Sequence, residues 1–147
     1  MKNENNGIVF PYWYMDIPYN SKVIPNWMIH DIQLSWANCQ VYAYEILRYN
    51  TIFVPDFRSR ELWDDSEYSR VIPSEFEPLD ILFFNKTNDP WGAHLGVYIW
   101  NNKVLHNSKD IWFPTIFDIE DFKKIHSYSC FLWGKRLKQN FEISHIL

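Results

Sequence analysis

From Cys39 onward the apolar positions fall at helical spacing. Cys39, Ala43, Ile46 and Leu47 recur at i, i+4, i+7 and i+8, which places them on one face turned to a core. Ser35 is the expected N-cap of this helix, and Asn50, which tolerates the left-handed region, is the expected C-cap. Past residue 78 the pattern changes to that of strands. Leu79–Phe84 reads as a buried strand, His94–Trp100 as a half-buried one, and Asn101-Asn102 as the turn of a hairpin that returns through Val104–Ser108. Tyr128–Leu137 reads as a last strand carrying Lys135 and Arg136. Residues 51–78 are punctuated by Val54-Pro55-Asp56 and Ile72-Pro73-Ser74, with short helical pieces predicted at Arg60–Tyr68 and Ile119–Lys124. A helix followed by antiparallel strands is the α+β pattern, here a helix on a sheet of about five strands.

Composition narrows the function classes. The 147 residues suit one domain, 1–147, in which residues 1–34 form an aromatic-rich arm that includes Tyr12-Trp13-Tyr14-Met15 and Tyr19. With 47% hydrophobic and 19% aromatic residues, the chain has ample material for a packed core. A formal charge of −4 without a basic run argues against nucleic acid as a partner. No stretch reaches the length of a membrane span. The polar start, Met1-Lys-Asn-Glu-Asn-Asn-Gly, has no apolar segment of the secretory kind, so the expected location is the cytoplasm or a site reached by a non-classical route.

The candidate chemistry follows from the order of three side chains. Cys39 stands at a helix start, where partial positive charge and free N–H groups favour a thiolate. His94 opens the following strand, and the strand after it carries His106. A nucleophilic thiol, an imidazole base and a third polar group that orients the base make up the papain-like arrangement. In this reading His94 holds Cys39 as thiolate and later protonates the leaving amine. Simple pairing across Asn101-Asn102 would set Val97 opposite His106 and turn the two imidazoles to opposite faces. A bulge or a longer loop is therefore predicted between the strands. Cys39, His94 and His106 are zinc-competent, but no fourth ligand stands in a short motif, so no metal or cofactor is expected. Cys130 is expected to be an inert buried thiol. Asp80 is expected to be structural, and Trp63, Trp91 and Trp100 are candidates for lining a cleft.

Several segments resemble the NlpC family of papain-like cysteine peptidases, known mainly as bacterial cell-wall hydrolases. Asn38-Cys39-Gln40 stands where that family carries Asp-Cys-Ser or Asp-Cys-Gly. Ile52–Ser59 resembles its loop after the nucleophile helix. Pro78-Leu79-Asp80-Ile81-Leu82-Phe83-Phe84 resembles its Pro-Gly-Asp-Leu-Val-Phe-Phe strand, Ala93-His94-Leu95-Gly96-Val97-Tyr98-Ile99 its His-Val-Gly-Ile-Tyr strand, and Leu105-His106-Asn107-Ser108 its Ile-His-Ala-Ser segment. The departures are Asn and Gln beside Cys39, Leu79 in place of the family glycine, and Trp27 near the position where the family often has an oxyanion tyrosine. Gln33 lies before Cys39 at a spacing similar to that of papain's oxyanion glutamine.

The resemblance implies a papain-like fold with Cys39, His94 and His106 as catalytic residues. It also implies hydrolysis of an amide through a thiol-acyl intermediate, with a peptide or peptidoglycan stem peptide as substrate. Gln33 and Asn38 are candidates beside the oxyanion, and Arg58 is a candidate for gripping a substrate carboxylate, with an intramolecular salt bridge as its other reading. Two alternatives stay open. One is a catalytically silent module of the same fold that binds a peptide or protein. The other is an amidase or acyltransferase effector on a non-wall substrate, with an immunity or delivery protein as partner.

Overall fold

A computed structural model of the chain describes residues 2–3, 8–20 and 38–138. In the arm, β1 (Lys2–Asn3) pairs antiparallel with β2 (Ile8–Val9), and a 3-10 turn follows at Tyr12–Asp16. Helix α1 runs Cys39–Tyr49 and helix α2 Ser59–Asp64. The main sheet is built from β3 (Ser69–Ile72), β4 (Ile81–Asn85), β5 (His94–Trp100), β6 (Lys103–His106), β7 (Thr115–Asp118) and β8 (Cys130–Leu137). Its spatial order is β3-β8-β4-β5-β6-β7, with each neighbouring pair antiparallel. The sheet thus has six strands where about five were expected. The two that the sequence pattern did not announce, β3 and β7, are its short edge strands.

Alternation along the strands gives the sheet two apolar faces. Leu95, Val97 and Ile99 of β5, with Ile81, Phe83 and Leu105, join Tyr42, Ala43, Ile46 and Leu47 of α1 in the larger core. Ile8, Phe10, Tyr14 and Ile17 of the arm are buried in the same cluster. On the other face Leu82, Phe84, Tyr98 and Val104 pack against Phe122 and Tyr128, which come from 3-10 turns at Ile119–Lys124 and His126–Tyr128. Burying so many large side chains is the main source of stability, at roughly 1.5–3 kcal/mol for each fully covered one.

The start of α1 differs from expectation for a local reason, whereas Asn50 caps its other end as expected, though not in the left-handed conformation. Asn38 is extended (φ −80°, ψ −179°), and its side chain accepts the Val41 N–H at 2.8 Å, so Asn38 is the N-cap and Cys39 the first helical residue. Ser35 and the residues around it lie outside the described part. At the other end Asn50 keeps φ −92°, and Thr51 (φ 63°) takes the left-handed position. The Asn50 amide is committed elsewhere: it donates to Ile46 O (2.8 Å) and Val9 O (2.7 Å) and accepts Val9 N–H (2.8 Å), tying the helix end to the arm.

The hairpin between β5 and β6 carries the predicted irregularity. Asn101 and Asn102 both have positive φ (50° and 63°), as a tight two-residue turn requires. Trp100 pairs with Lys103, yet Tyr98 pairs with Val104 and Val97 with Leu105, so Ile99 is one residue too many on its strand. The extra residue restores parity and turns His106 to the same face as His94. Gly96 makes the close approach possible, because a Cβ there would run into the Val104 side chain.

Candidate active site

His94 and His106 meet at the end of this face. His94 Nε2 lies 2.8 Å from His106 Nδ1, with the rings edge to face at 5.0 Å between centroids. His94 is 5% exposed and His106 1%. For His94 to accept a proton at Nδ1, its own proton must sit on Nε2 and be donated to His106 Nδ1. His106 then carries its proton on Nε2, which has no hydrogen-bond partner among the described residues. The His106 ring instead packs between Phe117 (4.6 Å) and Phe122 (4.7 Å), whose π faces offer such an N–H a weak acceptor.

Cys39 and His94 line one cleft of about 470 Å³, together with Asn38, Gln40, Tyr19 and Tyr128. As the first residue of α1, Cys39 has the free N–H groups of the helix start beside it. Burial pushes its thiol up to about 11, and hydrogen bonding to the backbone N–H groups of Leu95, Gln40 and Cys39 itself partly opposes this. Burial also holds His94 well below the usual histidine value, with His106 adding to the effect, and holds His106 at about 3. Both shifts favour the neutral forms, a thiol and an uncharged imidazole, over the ion pair that the helix start and His94 were expected to hold. The cost of desolvating two charges outweighs the dipole, which is worth about 0.3–1 kcal/mol.

This has a consequence for stability. Both histidines are neutral when folded and charge near 6.5 when unfolded, so the unfolded chain binds more protons below that value. Stability is complete above about pH 6.5 and falls as the pH drops. By pH 5, His106 alone accounts for about 2 kcal/mol. Thermal unfolding between pH 7 and 5 is expected to show this decline, and a His106→Asn variant a shallower one. An unchanged slope in the variant would contradict the buried neutral state.

The remaining sequence candidates are distributed as follows. Asn38 lines the cleft, but its side chain is occupied as the N-cap. Arg58 is exposed at the start of α2 and is absent from the cleft lining, where its backbone N–H is held by Glu61 (2.9 Å). Gln33 and Trp27 lie outside the described residues. Of the tryptophans, Trp91 lines the cleft, Trp63 stacks on Trp133 at 4.2 Å, and Trp100 ends β5 half-exposed. Cys130 is not buried as expected but only half-covered, with its thiol 3.6 Å from Lys86 O. Asp80 is structural: it is 1% exposed and bound bidentately by Arg136. Among the described residues no three His, Cys, Asp or Glu side chains are grouped to hold a metal, and no helix is long and apolar enough to cross a membrane.

Two tyrosines complete the site that the sequence reading did not single out. Tyr19 reaches the cleft from the arm, its N–H held by Trp112 O (2.8 Å) and its ring against Trp112 (6.5 Å). Trp112 has φ 75°, a strained conformation for a bulky residue, next to the segment that holds Tyr19 at the cleft. Burial, with Cys39 and Asp110 nearby, raises Tyr19 to about 12, so its phenol remains an O–H donor. Tyr128 stacks on His94 with 4.1 Å between centroids and 16° between planes.

The fold has solved counterparts. The NlpC/p60 domain of the peptidoglycan hydrolase SagA matches 86% of this chain and 92% of its own length, with 11% identity and a TM-score of 0.55. An NlpC/P60 family protein from Bacillus cereus ATCC 10987 matches 70% of this chain at 13% identity and a TM-score of 0.53, and the match spans 32% of that protein's length. No family model matches the sequence, nor does any curated protein. The chain has the α+β fold of NlpC/P60 domains.

Proposed function

We propose that the protein is a cysteine hydrolase of amide bonds with a Cys39–His94–His106 triad. The observation that carries this reading is the 2.8 Å contact between the two imidazoles, in which His94 spends Nε2 on His106 and keeps Nδ1 for the thiol in the shared cleft. His94 Nδ1 takes the Cys39 proton as the sulfur bonds to the substrate carbonyl carbon, and the carbonyl π pair moves to oxygen. Collapse breaks the C–N bond, and the departing amine takes the proton from His94. Water then adds to the thioester, again giving a proton to His94, and the C–S bond breaks to restore the thiol. The backbone N–H of Cys39 and the Tyr19 hydroxyl are the oxyanion donors in this scheme.

The substrate we infer is a peptidoglycan stem peptide, supported by the shared fold with the hydrolase domain of SagA. Mass spectrometry of muropeptides incubated with the protein, and with Cys39→Ala as control, tests it. Cleavage at one amide bond that disappears in the control is the expected result. An untouched digest alongside an acylated Cys39 would overturn the substrate and leave the chemistry. Tyr19→Phe is expected to lower kcat roughly a hundredfold with little change in KM, the usual effect of losing one oxyanion donor. An unchanged kcat would remove Tyr19 from the scheme.

A further inference from the structure

We propose that Tyr128 is a positioning residue that clamps the His94 ring in the single orientation able to serve Cys39. The inference rests on the hydrolase reading above and adds to it a part that acts only through His94.

The His94 imidazole is restrained on two sides by groups of different kinds. Its Nε2 edge is tied to His106. Its face is covered by the Tyr128 ring, nearly parallel at 4.1 Å. Turning the imidazole about its terminal torsion, a soft rotation in an open site, would drive it into the phenol ring. Tyr128 is itself fixed at its far end. Its hydroxyl lies 2.8 Å from Ser108 Oγ, and Ser108 is fully buried and accepts the Asp110 N–H at 3.0 Å. Phe122 flanks both rings, at 6.1 Å from His94 and 6.3 Å from Tyr128. The clamp is therefore anchored in the segment that directly follows β6, the same strand whose last residue is His106. One stretch of chain, His106–Asp110, sets both restraints on the base.

The same arrangement decides how wet the base is. Tyr128 is 6% exposed and stands on the cleft wall, so its ring separates His94 from solvent. When His94 becomes an imidazolium during attack, the π face of Tyr128 lies against it, and cation–π attraction substitutes for part of the missing water. A mere packing role would call for the ring but not for the buried Ser108 anchor.

Nitrogen-15 NMR of the labelled ring, a readout independent of turnover, tests the clamp together with the pH profile of Cys39 acylation. The intact protein is expected to show His94 as one neutral tautomer, protonated on Nε2, over the neutral range. In Tyr128→Leu, which fills similar volume, His94 is expected to titrate closer to 6.5 and to populate both tautomers. Its acylation rate is expected to fall at least tenfold with the acid limb moved upward. Tyr128→Phe and Ser108→Ala, which each keep the ring but release its anchor, should each lose about threefold and show a minor population of the second tautomer. An unaltered His94 spectrum in folded Tyr128→Leu, shown by dispersed amide signals, would overturn the clamp; if Tyr128→Leu does not fold, Ser108→Ala decides the matter by the same spectrum. Absence of any acylation in the intact protein would instead strike the hydrolase reading and leave the spectrum to judge Tyr128.

Discussion

His94→Ala is expected to slow acylation or alkylation of Cys39 at pH 7 by a hundredfold or more, and Cys39→Ala to abolish the adduct. The size follows from the raised value of the half-buried thiol. With its value pushed up to about 11, only about one molecule in ten thousand is thiolate at pH 7. Reaction at useful rates then depends on a base that removes the proton during attack, and a positioned general base contributes roughly 10²–10⁴-fold. The pH profile separates this from simple thiolate chemistry. In the intact protein the rate should be nearly flat from weakly acid to mildly alkaline pH, because His94 stays neutral and Cys39 stays protonated across that range. In His94→Ala it should climb tenfold per pH unit toward the thiol's own value. Equal profiles in both proteins would indicate a catalytically silent module that keeps the fold. A flat profile lost with His94 would set the chemistry, whatever the substrate.

Elements with a strong period were legible in the chain itself. β5 begins and ends at His94 and Trp100 as expected, but it is buried on both faces up to Ile99 rather than half-buried, because α1 covers one face and Phe122 and Tyr128 the other. The bulge at Ile99 was legible too, though only through a contradiction: two histidines needed on one face and a tight Asn-Asn turn cannot coexist in regular pairing. The edge strands β3 and β7 were not legible. Ser69–Ile72 and Thr115–Asp118 are four residues each, with two or more positions facing solvent, and each adjoins a proline, at Pro73 and Pro114. They are strands because a neighbour offers them a hydrogen-bonding edge, which is a tertiary fact.

The site divides in the same way. Cys39, His94 and His106 carry local signals, namely a helix start and two strand ends in hairpin relation. Tyr19 and Tyr128 carry none, because their places at the cleft arise from ring contacts with Trp112 and His94, far away in sequence. In a chain so rich in aromatics, two more tyrosines read as core. The upward push on the Cys39 thiol was illegible for a related reason. A helix start is visible in a sequence, whereas the burial that outweighs it depends on what the rest of the chain lays over the sulfur.

The largest effect on stability is expected at Asp80. Its carboxylate accepts Arg136 Nε at 2.8 Å and Nη2 at 2.9 Å, and Oδ2 also accepts the Glu77 N–H at 2.8 Å. Asp80 lies just before β4 and Arg136 on β8, so the pair fixes how these central strands join. Leu79, beside it, has φ 77°, a conformation that costs a residue with a Cβ about 1–2 kcal/mol. The backbone there is held by Leu79 N–H to Tyr98 O (2.9 Å), Tyr98 N–H to Asp80 O (2.8 Å) and the buried carboxylate. Asp80→Ala leaves Arg136, whose side chain is 19% exposed, with only the solvent-facing Glu77 at 3.3 Å. Breaking one side of such a pair costs roughly 3–5 kcal/mol, a large part of the whole for a domain of this size. Urea unfolding should show the midpoint falling accordingly, and Asp80→Asn, which still accepts from Glu77, should fall less. A loss below about 1 kcal/mol in Asp80→Ala would mean that the pair behaves as a surface salt bridge and that packing alone holds Leu79 in its left-handed turn.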